Sequence, residues 1–423
     1  MKLRITALVL LCVALLGTTM GAIIVGHSDR IIAPDTQHET APQTLPPVIT
    51  GDIFDTQPAT APVTTEPDAT PGHVSVFAAG DNIVLDRIRR NANLLAGGNG
   101  DPSQYSKTGF AYTPMYDALR PLIEKSDIAF MNQDSLVWDD PEQNGMTSLL
   151  GDQMLSLGFN VISVANNSML SAGEAGLMKS VDYWSKKDAA VLGINVLPEN
   201  ADQITVVEKN GVKIAFLAYT YGVDGALGEG SELILPLIDK ERMTRDVTAA
   251  KGASDVIVVY LHWGDVNSTD RSAYQSEIAQ HLVDLNVDVI LGSHPNVIQE
   301  MKWKSRPDGG RTLICYSLGN LISAMDLNKN LLGGAVTFDI DKDENGVCAV
   351  SNVKFIPIFT HYDRHYEQIS VRLLSDYDQA QLDVHGSSIN KGAGSYDFFI
   401  RLIKQYVPSE FLEDYYNNYV FKN

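Results

Sequence analysis

Basic residues are scarce in this chain. Its 423 residues hold 32 Lys and Arg against 52 Asp and Glu, a formal charge of −20. A field of that sign repels polyphosphate backbones and anionic lipid surfaces, so nucleic acid is excluded as a partner through any general basic patch. Cysteine is nearly absent, with three residues in all. Cys12 sits in an apolar run, and Cys315 and Cys348 lie in strand-like runs without the spacing of a zinc ligand set. Two buried free thiols are expected there, a bridge between them being the alternative. The loop "LLAGGNG" has no Lys-Ser/Thr after its glycines and so is no phosphate loop. No internal repeat is visible.

The N-terminus is a different kind of sequence. Lys2 and Arg4 precede an apolar run from Ile5 to Val25, which as a helix would span roughly 30 Å, about one bilayer core. Residues 1–27 read as an uncleaved, single-pass membrane anchor that leaves the rest of the chain extracellular. A cleaved signal peptide, and hence a secreted protein, is the competing reading. Residues 28–72 are rich in Pro, Thr, Ala and Asp and form a semi-extended linker. A folded domain is expected over 73–358, and an aromatic-rich extension over 359–423.

Within the domain, apolar strand runs alternate with helical patterns, the signature of an α/β fold. Strands are expected at Val74–Ala79, Ile128–Met131, Val161–Ala165, Val256–Leu261, Val287–Leu291 and Leu313–Ser317. Two ribbons turn at Asn210-Gly211 and Asn345-Gly346. The clearest helix follows Thr269 or Asp270 as N-cap, with Tyr274, Ile278, Leu282 and Leu285 as its apolar stripe. A second runs from Gly173 to Lys187.

The strand ends carry the chemistry. Five runs deliver Asp81, Asn132 with Asp134, Asn166 with Asn167, His262 with Asp265, and His294 with Asn296. Sites in open α/β sheets form just outside the carboxyl ends of strands. Each residue alone has an ordinary explanation as a turn former, cap or hydrogen-bonded core group. Two Asp, one Asn and two His arriving in the same position relative to five strands point to a divalent metal site. Mixed carboxylate, amide and imidazole ligands suit Mn, Fe or Zn rather than Ca. His361 and His365 share an i, i+4 spacing but lack a third ligand, and His281 reads as structural.

The order Gly80-Asp81, Asn132-Gln133-Asp134, "ANNS", "HWGD", "GSHPNVIQ" and "YSLGN" at Tyr316–Asn320 resembles the bacterial capsule synthesis protein CapA family. That family is also called the poly-γ-glutamate capsule biosynthesis family and is related to the calcineurin-like metallophosphatases. The resemblance runs from about Val74 to Pro357. It implies a metallophosphatase-like sandwich of two mixed β-sheets flanked by helices. It also implies that Asp81, Asp134, Asn167, His262 and His294 are metal ligands, with Asn132, Asn166, Asp265, Asn296 and Asn320 on the same rim. Three positions depart from the family pattern. Ser168 stands where a histidine would serve as general acid, Ser171 where an aspartate often follows, and Asn296 where a second histidine would bind the other metal. A serine hydroxyl does not titrate near neutrality, and losing general acid catalysis forfeits about 10²–10⁴ in rate. The expectation is a partly degraded site holding at most one tightly bound ion. Its setting would be the membrane-embedded machinery of capsule, poly-γ-glutamate or exopolysaccharide synthesis, and its ligand a polymer end or phosphoester. An active single-metal phosphoesterase and a non-catalytic assembly protein are the alternatives.

Overall fold

The computed structural model describes residues 70–139, 146–391 and 395–412. The expected anchor and all but the last residues of the linker lie outside them. Among the described residues no helix is long and apolar enough to cross a membrane.

Among the described residues, fourteen strands build two mixed sheets, and a two-stranded ribbon stands apart. In chain order they are β1 (His73–Asn82), β2 (Ile128–Gln133), β3 (Val161–Ser163), β4 (Ala190–Leu192), β5 (Thr205–Lys209), β6 (Val212–Thr220) and β7 (Val256–His262). There follow β8 (Val289–Ser293), β9 (Met301–Ser305), β10 (Arg311–Cys315), β11 (Asn320–Ile322), β12 (Leu332–Lys342), β13 (Cys348–His361) and β14 (Ser370–Leu373). The first sheet runs β14-β13-β12-β1-β2-β3-β4, with β11 paired to the end of β1; the second runs β9-β10-β8-β7-β6-β5. The parallel strands β1, β2 and β3 lie at the centre of the first sheet, and β6, β7, β8 and β10 at the centre of the second.

Strand β7, "VIVVYLH", shows how the layers arise. It is buried along its whole length, as a parallel strand covered on both faces must be. Val256, Val258 and Tyr260 join the core shared with the first sheet, where the Tyr260 ring lies 5.4 Å from that of Phe130. Ile257, Val259 and Leu261 point the other way, against the helices Lys240–Ala253 and Ala273–Asp284. His262 has the parity of Tyr260 and so faces the other sheet, which fixes where the site forms.

Several local expectations are corrected. The helix Ala273–Asp284 is capped by Ser272, which forms a capping box with Gln275, and neither Thr269 nor Asp270 is the cap. Tyr274 is 43% exposed, so the buried stripe is Ile278, Ala279, Leu282 and Val283. The helix Gly173–Trp184 is shorter than expected, and a 3₁₀ turn, Asn167–Leu170, which includes the second amide, precedes it. The Asn210-Gly211 turn has positive φ at both residues, as a two-residue hairpin of that twist requires. The second ribbon instead closes through Asp343 and Val347, with only Gly346 at positive φ. Cys315 and Cys348 are free.

Strand β13 runs straight across position 358, and β14 pairs with its last four residues. Phe399, Ile400 and Ile403 of the helix Tyr396–Tyr406 enter the same core, and the Tyr406 hydroxyl donates to Thr269 Oγ1 at 2.9 Å. The aromatic-rich segment up to residue 412 is therefore packed into the main domain.

Candidate metal centre

Both sheets end their central parallel strands at one rim. Asp81 closes β1, where its register partners are Asn132 of β2 and Asn320 of β11. Asp134 follows β2, Asn166 and Asn167 follow β3 across Val164 and Ala165, His262 closes β7, and His294 follows β8. The structure brings these expected residues together.

Four side-chain atoms converge on one point. His262 Nε2 lies 2.8 Å from Asn167 Oδ1, 3.1 Å from His294 Nδ1 and 3.7 Å from Asp134 Oδ1. A tetrahedral ion with bonds of about 2.0–2.2 Å sets its ligand atoms roughly 3.4 Å apart. Asp134 Oδ1 is buried without a hydrogen bond. A buried, unpaired carboxylate oxygen is costly unless something positive faces it. Burial, reinforced by Asp81 and Asp224, holds the Asp134 carboxyl well above the usual carboxylate range. Burial and the neighbouring His294 ring push His262 well below the usual imidazole range. Burial takes His294 down to about 4, against the opposing pull of Asp224 and Asp265. Two neutral imidazoles and an amide oxygen are already in the state that metal ligands need, and the Asp134 carboxyl would give up its proton to an ion.

Asp81 stands on the other side of His262, 3.7 Å from Nδ1. It is 1% exposed, and the protein supplies its donors. Oδ1 accepts from Asn132 Nδ2 at 2.7 Å and from the Ser293 hydroxyl, and Oδ2 from the His294 backbone N–H at 2.9 Å. Burial raises its carboxyl to about 6 in spite of those bonds. Asp81, Asp134 and His262 present ligand atoms within 4.8 Å of one another, a grouping that can hold a divalent ion. His294 has a φ of 102°, a left-handed value rare outside glycine. The bond from its N–H to Asp81 helps hold that turn.

The remaining rim residues serve the cradle from behind. Asn166 donates to Gln133 O at 2.9 Å and caps the 3₁₀ turn by accepting from Ser168 N. Asn320 Nδ2 donates to Ser323 Oγ and Asn330 O, while its Oδ1 and Asn296 Oδ1 are buried without partners. Asp265 is exposed at the mouth. His361 and His365 are not brought together: His361 pairs with Tyr377 and His365 with Arg364. His281 contacts Thr244 and the Lys240 carbonyl, a structural role.

Four residues escaped the sequence reading. Asp224 accepts from Asn167 Nδ2 at 2.6 Å and so orients its amide, and Tyr221 lays its ring 4.6 Å from His294. Both lie in an irregular loop after β6 that offers no motif. Tyr260 and Ser293 hydrogen-bond behind His262. Strand parity put Tyr260 on the face of His262, a signal that was available.

Comparison with known proteins follows the same outline. The family described as bacterial capsule synthesis protein PGA_cap matches residues 75–325. The capsule biosynthesis protein CapA of Bacillus anthracis is 29% identical over 170 residues, covering 39% of this chain and 40% of that protein. The PGA biosynthesis protein CapA of Bacillus subtilis is 27% identical over 193 residues, covering 45% of this chain and 49% of that protein. The chain thus matches about half or less of the length of these relatives. Among solved structures, a putative 5′-nucleotidase from Staphylococcus aureus superposes with a TM-score of 0.43 at 12% identity, covering 67% of this chain and 54% of that one.

Proposed function

Because the chain belongs to the bacterial capsule synthesis protein family, we propose that it acts in the production of a capsular or exported polymer, poly-γ-glutamate or an exopolysaccharide, and that its rim holds a single divalent ion. In this reading residues 1–27 tether the domain to the outer face of the cell membrane, beside the membrane-embedded synthesis machinery. The domain recognises a polymer end or a phosphoester at the rim.

The observation that carries the metal reading is the convergence on His262 Nε2 of Asn167, His294 and Asp134 atoms at 2.8, 3.1 and 3.7 Å. Asp134, Asn167, His262 and His294 are the ligands, and the ion is Mn, Fe or Zn. Asp81 buttresses them from the far side of His262. A bound ion of this kind polarises a phosphoryl or carbonyl oxygen as a Lewis acid. The chain's own residues do the rest of the work. Asp224 aims the Asn167 amide, and the Tyr221 ring, 45% exposed beside His294, offers a face for a ligand. Ser168 provides no proton near neutral pH, and Asn296 presents an unpartnered amide oxygen where a second imidazole is missing. Turnover of phosphoesters is accordingly weak or absent.

Elemental analysis after dialysis against Mn or Zn tests this. One equivalent should remain, and His262→Ala should release it. Two tightly held equivalents, or none in the unaltered protein, would refute the single-ion reading. Deleting the gene from a polymer-producing host should abolish surface polymer, and His262→Ala should fail to restore it.

A further inference from the structure

Strand β6 has a gap of one residue on its outer edge. Thr205, the first residue of β5, stands opposite Phe216. Before it the chain turns away through Gln203, whose N–H goes to Asn200 O. Past the gap the edge is paired again, Thr220 N–H donating to Pro236 O and Thr220 O accepting from Ile238 N–H, both at 2.8 Å. Tyr221 N–H, one residue on, goes the other way, to His262 O of β7. Backbone groups alternate sides along a strand, so Ala218, with the parity of Thr220, turns its N–H and C=O to the outer edge. Neither has a hydrogen-bond partner among the described residues.

A cavity of about 50 Å³ opens at that gap, with Ala218, Asn195, Gln203, Arg242 and Asp246 in its wall and none of the rim residues. It has room for a few waters or one small molecule. Arg242 is anchored by two of its nitrogens, Nη1 donating to Leu235 O at 2.7 Å and Nη2 to Ala201 O at 3.1 Å. Its Nε is buried without a hydrogen bond, 3.5 Å from Asp246 Oδ2, which the Tyr219 hydroxyl already occupies. A buried N–H left unpaired costs stability until an acceptor reaches it. The cavity thus holds two unpaired donors, one unpaired carbonyl, one cation and one anion.

We propose that this cavity binds a small free α-amino acid. Such a molecule carries nitrogen and carboxylate on one Cα, the spacing of a strand residue. Its ammonium donates to Ala218 O and its carboxylate accepts from Ala218 N–H, the two bonds that a residue directly opposite in an antiparallel ladder makes. The second carboxylate oxygen suits Arg242 Nε–H, a charge-assisted bond, and Asp246 balances the ammonium. Fragments satisfy only half of this. A lone carboxylate leaves Ala218 O bare and meets the Asp246 charge, and a lone amine leaves both donors unpaired. A residue within a longer peptide is excluded, because its neighbours along the edge would run into Thr205 and Pro236. The volume limits the side chain to that of glycine or alanine.

The test uses the full chain labelled with ¹⁵N-alanine and ¹⁵N-arginine and titrated with glycine, Ala218→Ser serving to identify the Ala218 resonance. The Ala218 amide and Arg242 Nε–H signals should shift together and saturate with a dissociation constant of about 1–10 mM, the strength that a ligand of about five heavy atoms reaches. Acetate or methylamine alone should bind at least about tenfold more weakly, and leucine should leave both signals in place. Arg242→Gln should weaken glycine binding by about tenfold or more. No saturable shift of the Ala218 amide up to about 100 mM glycine, or an equal response to acetate alone, would overturn the site. Should Arg242→Gln fail to fold, since Arg242 also holds the Leu235 and Ala201 carbonyls, the wild-type comparison of glycine with acetate decides.

Discussion

A carboxylate oxygen that no hydrogen bond reaches, Asp134 Oδ1, gives the residue scale its clearest test. Burial, Asp81 and Asp224 all oppose its charge, so without an ion the carboxyl is held towards its neutral form and its ionisation costs stability. Asp134→Asn should leave the metal-free melting temperature unchanged or higher while lowering Mn or Zn affinity at least about tenfold. Calorimetry and titration on the same sample measure both, and a fall in both together would mean a structural role instead. The double change Ser168→His and Asn296→His should raise metal stoichiometry and phosphodiester hydrolysis together. Asn296 has a φ of 61°, and histidine is one of the few residues enriched in that region. A folded double variant that gained neither would remove the degraded-hydrolase account. The rim residues were legible in the sequence because each stands at a strand end. Asp224 and Tyr221 were not, because their loop has no periodicity from which a facing direction can be read.

At the scale of elements, strand β13 is the piece that sequence reading divided at position 358. A continuous apolar run such as "VKFIPIFTHY" gives no signal of which residues pair to a neighbour, and β14, its partner, is only Ser370–Leu373. Short edge strands carry too little pattern to stand out. Protein ending at residue 358 should therefore aggregate or lose cooperative melting, since it would strip Phe359, Tyr362, Phe399 and Ile403 from the core. The unaltered protein serves as the reference. Light scattering and thermal denaturation compare them, and a soluble, cooperatively folded product ending at 358 would contradict the packing described. The helix Ala273–Asp284 failed in a different way. Thr269, Asp270 and Ser272 are all acceptable caps by residue type, and only the reach of Gln275 back to the Ser272 N–H selects among them.

For the whole molecule, acid is the informative perturbation. Burial lowers His385 from 6.5 to about 4. It is 0% exposed and held by Ser387 and the Thr360 carbonyl, joining the C-terminal segment to β13. A depressed histidine binds its proton more readily when unfolded, so its contribution is complete above pH 6.5 and is lost as pH falls towards 4. The full shift corresponds to on the order of 3 kcal/mol. Asp81, raised to about 6, acts in the opposite sense over part of that window, so the comparison must be differential. Relative to His385→Gln, the wild type should lose about that much stability between pH 6.5 and pH 4, read from denaturant midpoints. Parallel pH profiles would show that His385 does not titrate with folding.

The rim draws Asp134 and Asn167 from one sheet and His262 and His294 from the other. Neither sheet owns a cradle; the site exists only as a seam between them. Moving one sheet along the other by a single residue, about 3.3 Å, would carry the imidazoles out of reach of the carboxylate and the amide. On the single-ion proposal, the ion is a rivet. An ion held there would fix the two sheets in one alignment, and would strengthen the domain by about 2.7 kcal/mol at a concentration 100 times its dissociation constant. Shear between the sheets, from a pull on the N-terminal strand β1, would then register first as loss of the ion.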